Sequence, residues 1–122
     1  MPRLIANNKI MLLENQKKET ATKRQPGYVM KMVAKPGKGK LLRKLATDGM
    51  RIANEGGNWV HCLVENEPDT LWTFEFFESE EAKVKYEESD LADQLRDEIL
   101  ELLAEPPLRI VVTPFSASWL NQ

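Results

Sequence analysis

Cysteine is almost absent from this chain, and the scarcity removes whole classes of chemistry. With Cys62 alone, an intramolecular disulfide and a multi-cysteine metal site are both excluded, and a reducing compartment fits. Long apolar runs are missing too. No segment approaches the ~18 apolar residues of a membrane span, and Ile10 to Leu13 is too short to be the apolar core of a secretory signal. Nor is there an excess of either charge. Seventeen basic and 19 acidic residues leave a net charge of -2, so no bulk attraction to nucleic acid or to an anionic membrane is expected. The basic cluster Lys17, Lys18, Lys23 and Arg24 lies in a polar stretch without aromatics, the pattern of a solvated arm. The expectation is a soluble cytoplasmic protein, its 122 residues forming one domain with a core of its own.

What is present concentrates between Thr70 and Ser89. Leu71, Trp72, Phe74, Phe76 and Phe77 crowd into a strand-like run that one ionisable side chain, Glu75, interrupts. A bare carboxylate inside a buried strand costs several kcal/mol unless it is paired, hydrated or protonated. At Ser79 the pattern becomes helical, with Glu80 and Glu81 following a hydroxyl suited to the cap position.

Around this segment the chain reads as an N-terminal extension (1–27), a domain (28–115) and a C-terminal tail (116–122). Ile10 to Leu13 could dock on the domain or on a partner subunit. Tyr28 to Lys35 alternates as a strand and ends at Pro36-Gly37. Lys40 to Glu55 has helical period, with Leu41, Leu42, Leu45, Ala46, Met50 and Ala53 in one stripe, and stops at Gly56-Gly57 in a left-handed turn. Asn58 to Glu65 alternates again, and Asn66 to Asp69 is a hairpin turn into Thr70 to Glu78. Two helices follow, from Ser79 and from Ser89; Pro106-Pro107 ends the second, and Leu108 to Thr113 is the last strand. The order β-α-β-β-α-α-β predicts an α+β, ferredoxin-like, four-stranded antiparallel sheet with helices on one face. Trp72, Phe74 and Phe76 would point away from those helices, and a patch of that size predicts a homodimer joined sheet to sheet.

From Tyr28 to about Phe115 the chain resembles the antibiotic biosynthesis monooxygenase family, whose members form dimeric α+β barrels. The resemblance rests on Pro36-Gly37, Gly57, the Asn66 to Asp69 turn, Glu75-Phe76-Phe77 followed by Glu78-Ser-Glu-Glu-Ala82, and Ser89. It implies a cofactor-free oxygenase of electron-rich phenols or hydroquinones. The haem-degrading relatives use a first-strand Asn, a Trp and a His on the following helix. Here Met30 and Phe77 stand at the first two positions, and Ser79 to Glu88 contains no His, which disfavours haem chemistry.

The residues themselves suggest a hollow under the helices, lined by Met30, Met32, Trp59, Phe77 and Tyr86, for a small ligand, which the resemblance implies is aromatic. His61 is the candidate base, since an imidazole titrates near neutrality, and Glu75 would orient it or act itself. Tyr28, Trp59, Tyr86 and Arg109 are candidate donors to a substrate oxygen. A plainer account stands beside this one: His61 and Glu75 as structural partners, the Met and aromatic side chains as core, and Cys62 as a small buried hydrophobe. The same hollow would equally serve a non-catalytic ligand-binding dimer or an isomerase on the same fold.

Overall fold

A computed structural model describes residues 25–120. The expectations for residues 1–24, including an arm reaching a partner subunit, lie outside the described residues. Gln25–Thr113 form one compact unit. Pro114–Leu120 belong to another, in which the Leu120 amide donates to the Ala117 carbonyl at 3.0 Å.

The main unit runs β1 (Gly27–Val33), α1 (Gly39–Ala53), β2 (Asn58–Val64), β3 (Glu67–Phe76), α2 (Glu80–Glu87), α3 (Asp90–Leu102) and β4 (Leu108–Val112). The four strands form one antiparallel sheet in the order β2-β3-β1-β4, the ferredoxin-like arrangement. β1 and β3 are therefore the central strands.

Local chemistry sets most boundaries where the sequence places them. The Ser79 hydroxyl accepts from the Ala82 amide at 3.0 Å, and the Ser89 hydroxyl accepts from the Ala92 amide at 3.1 Å, so each serine caps its helix. The start of α1 has no such cap of its own. The Asp69 carboxylate reaches across from β3 instead, accepting from the Gly39 amide at 2.9 Å and the Gly37 amide at 3.2 Å.

Two details differ from expectation. The hairpin turn is tighter than Asn66 to Asp69. β3 already begins at Glu67, and Asn66 takes the left-handed conformation that asparagine tolerates. Pairing then slips between Leu63 and Val64, from Leu71 to Glu67, which leaves Pro68 in an irregularity where no ladder amide is required. The end of α1 also contains no left-handed glycine. Gly57 is needed for space: a Cβ there would lie 2.1 Å from Asn54 Oδ1 and 2.2 Å from the Phe76 carbonyl oxygen.

The helices cover one face of the sheet. Met32 and Ala34 of the β1 segment, Leu71 of β3, Leu42 and Ala46 of α1, and Leu103 just beyond α3 make the buried core, with Ile99 and Leu102 packed against it. Each buried leucine contributes roughly 1.5–3 kcal/mol by leaving water. The buried stripe of α1 is narrower than its sequence suggested. Leu42, Ala46, Gly49 and Met50 are buried, whereas Leu41 is exposed. Gly49 lets α1 approach α3 closely, since a Cβ there would meet a Leu95 methyl at 2.4 Å. The other face carries Val29, Trp72, Phe74, Phe76, Val60, Leu108 and Ile110, the residues that alternate with the core positions in the strand register. No helix among the described residues is long and apolar enough to cross a membrane.

Candidate ligand site between the sheet and the helices

Strand alternation places Tyr28, Met30 and Met32 on the helix-facing side of β1. The register sets Glu75 of β3 directly between Tyr28 on one neighbour and Trp59 on the other. β1 and β3, together with α1, α2, α3 and β4, line a half-open cavity of about 480 Å³, within the ordinary range for small-molecule sites. Its floor is Tyr28, Met30, Met32 and Glu75. Ala46 and Met50 of α1 and Ala92, Leu95, Ile99 and Leu100 of α3 form apolar walls. Tyr86 and Glu87 of α2, Arg96 of α3, and Pro107 and Arg109 beside β4 complete it with most of the polar groups.

Glu75 has a defined partner. Its Oε2 lies 2.8 Å from His61 Nε2, with the side chains only 10% and 6% exposed. On the far side of the imidazole, Thr47 Oγ1 of α1 lies 3.0 Å from Nδ1. An ionised carboxylate can only accept, so Nε2–H donates to Glu75. In a neutral ring Nδ1 is then left to accept the Thr47 hydroxyl proton. Both ring nitrogens are thus engaged, and the Trp59 ring packs against the imidazole at 4.9 Å between centroids. A charge-assisted bond of this kind contributes about 1.5–3 kcal/mol, which offsets part of the cost of burying the carboxylate.

The tyrosines supply the complementary donors. Tyr28 is buried, and its hydroxyl has no hydrogen-bond partner among the described residues, an uncommon condition for a buried polar group beside a cavity. Its ring stacks under the Arg109 guanidinium at 3.8 Å, with Lys83 Nζ at 5.2 Å. Phe77 packs edge-on to Tyr28 at 5.9 Å and stacks on Tyr86 at 5.3 Å. Burial first, and then the charge of Glu75, hold the Tyr86 hydroxyl above its ordinary value of 10.0, while Arg96 and Arg109 pull it down. Tyr86 therefore remains a protonated donor throughout the neutral range.

The residues expected from the sequence divide into two groups. Met30, Met32, Glu75 and Tyr86 line the cavity, as do Tyr28 and Arg109. His61 stands behind Glu75, Trp59 packs on His61, and Phe77 backs the two tyrosines; none of these three is among the cavity-lining residues. Cys62 is half-buried, at a register position that faces away from the helices. Sequence reasoning missed Thr47 and Arg96. Both lie on helices whose rotation against the sheet has no local signature, and a lone Thr within a helical stripe gives no sign of an imidazole across the layer. Among the described residues, no group of three or more His, Cys, Asp or Glu side chains is placed to hold a metal ion.

Solved structures share this architecture. A protein of unknown function from Nitrosomonas europaea superposes with a TM-score of 0.64 at 22% identity, over 80% of this chain and 95% of its own. A candidate antibiotic biosynthesis monooxygenase from Caulobacter crescentus gives 0.63 at 18% identity, over 75% and 90% of the two chains. Another such candidate, from Chloroflexus aurantiacus, gives 0.59 at 21% identity, over 72% and 92%. The α+β, ferredoxin-like fold is therefore one that several proteins carrying that family name adopt. No protein-family model and no curated protein matches the sequence.

Proposed function

We propose that this protein is a cofactor-free monooxygenase of a small phenol or hydroquinone, working in a reducing cytoplasm. The observation that carries the reading is Glu75: a buried carboxylate facing an apolar cavity, with its second side held by His61. Deprotonation by Glu75 gives a phenolate, and a dry site raises the electron density that this anion offers to O2. Electron transfer and recombination form a C–O bond at an activated ring carbon. Collapse of the resulting hydroperoxide then breaks the O–O bond and releases water. A phenol with a free para C–H thus consumes one O2 and yields one quinone and one water. Tyr28 and Tyr86 donate to the charge that develops on oxygen. In this scheme Glu75 is the base, and His61, with both nitrogens engaged, is a positioning residue.

The same reading assigns the uncovered sheet face to a second copy of the chain. Val60, Leu108 and Ile110 on that face are 52%, 50% and 47% exposed, and Trp72 and Phe74 stack on each other beside them at 6.5 Å.

Oxygen uptake with a panel of hydroquinones tests the assignment, comparing wild type with Glu75→Gln and His61→Gln. Loss of uptake in Glu75→Gln, with binding retained, is the expected result. Turnover indifferent to both substitutions would sink the site. Tight binding of the panel without any uptake by the wild type would favour a ligand-binding protein on the same fold.

A further inference from the structure

The cavity is lined by charges of both signs. At the sheet floor lies the carboxylate of Glu75, while two guanidinium groups, Arg96 from α3 and Arg109 from β4, line the same space from other elements. Both arginines have carboxylate partners, but weak ones. Arg96 pairs with Asp93 three residues earlier in an exposed helical contact. Arg109 makes a 3.2 Å bond to Glu87 Oε2, with the two side chains 47% and 35% exposed. Exposed pairs of this kind are worth little, since water and salt compete for both members. The Arg109 side chain is fixed chiefly by its stacking on Tyr28 at 3.8 Å, which leaves guanidinium N–H groups available at the edge of the plane. The Tyr86 hydroxyl feels Glu75, Arg96 and Arg109 together, so all three charges bear on one part of the cavity.

We propose that the aromatic ligand carries an anionic substituent, such as a carboxylate, that Arg96 and Arg109 bind while its phenolic hydroxyl meets Glu75. The inference rests on the proposed function and narrows its substrate class to hydroxyaryl acids. The O–H donor of such a molecule matches the Glu75 acceptor, and its anionic group matches the two guanidiniums. Glu87 then acts as a placeholder that the ligand anion displaces from Arg109.

The test uses 6-hydroxy-2-naphthoate and its methyl ester, titrated into the full-length protein by calorimetry at low and high salt. The acid binds about tenfold or more tightly than the ester, a difference of about 1.4 kcal/mol, and added salt narrows the gap. Arg96→Gln and Arg109→Lys each erode the preference while leaving ester affinity close to wild type. Arg109→Lys keeps the charge and loses the planar fork, so it separates point-charge attraction from guanidinium recognition. Glu87→Gln tightens the acid several-fold and leaves the ester unchanged, a gain that a merely structural Glu87 would not give. Equal affinity of acid and ester, or an acid weakened by Glu87→Gln, overturns this proposal and leaves the phenol-binding site standing. Failure of both probes to bind overturns this proposal, whereas the hydroquinone uptake assay decides the proposed function separately.

Discussion

β3 shows two kinds of surface within six residues. Thr73, Glu75 and Phe77 face the helices and are buried, whereas Trp72, Phe74 and Phe76 face the other way and are half-buried. The helix side sets the Glu75 carboxylate and its His61 partner beneath a cavity whose walls are apolar and whose rim carries Tyr86, Glu87, Arg96 and Arg109. The opposite side offers apolar area and Lys31. Alternation along a single strand therefore separates the cavity face from the uncovered apolar face, because successive side chains point to opposite sides. A one-residue slip of this strand would exchange the two sets of side chains, so the pairing that fixes Glu75 opposite Tyr28 and Trp59 also fixes which residues each face presents.

The sharpest way to break this division is to remove the acid on the buried side. Glu75→Gln keeps the shape and deletes the base, and turnover falls about 10²–10⁴-fold in steady-state oxygen uptake. On the other side, Phe74→Asp places a charge in the centre of the proposed contact. If the proposed dimer forms, sedimentation velocity is expected to show a dimer for the wild type and a monomer for the variant, while ligand affinity at the cavity changes little. A wild type that is monomeric at micromolar concentration contradicts the assignment of that face.

Core packing sets the next scale. Leu42→Ala deletes a fully buried side chain beneath the helices and costs about 2–5 kcal/mol in urea unfolding, whereas Leu41→Ala, one residue away and exposed, stays within about 0.5 kcal/mol. Thr47→Val is subtler. It removes the hydroxyl from Nδ1 at nearly constant shape, so the imidazole keeps its Nε2–H bond to Glu75 but loses its second anchor; turnover drops severalfold, and Thr47→Ser restores it. His61 is the only histidine in the chain, so its ring nitrogens can be followed by NMR without an assignment problem.

The smallest effect is alkaline. Tyr86 holds its proton more tightly folded than unfolded, so its contribution to stability is fully present below pH 10.0 and is lost as the pH rises through the raised folded value. Tyr86→Phe flattens that slope in unfolding curves measured above pH 10.

The fold was legible because its signals are local. Ser79 and Ser89 cap the helices they precede, Met30 and Met32 keep strand period, and the helical stripe through Leu42 and Ala46 finds the core. Pairing of His61 with Glu75 was legible for the same reason, both residues standing in strands that alternate onto one face. What could not be read was the third dimension. Trp59 and Phe77 share a face with Glu75, but lateral position within the sheet decides which of them meets the cavity. The rotation of α1 and α3 decides that Thr47 reaches the imidazole and Arg96 the cavity, and it arises from contacts such as Gly49 against Leu95, distant in sequence. The hairpin was misjudged because Pro68 reads as a turn residue, whereas a slip in pairing accommodates it within β3.

A crystal structure of the protein with bound 6-hydroxy-2-naphthoate tests the central claim most directly. The account predicts the ring between Met30, Met32 and Met50, with its hydroxyl within hydrogen-bond distance of Glu75 and the His61 contact intact. A ring seated on the Trp72 and Phe74 face, or one in the cavity with its hydroxyl turned away from Glu75, would contradict it.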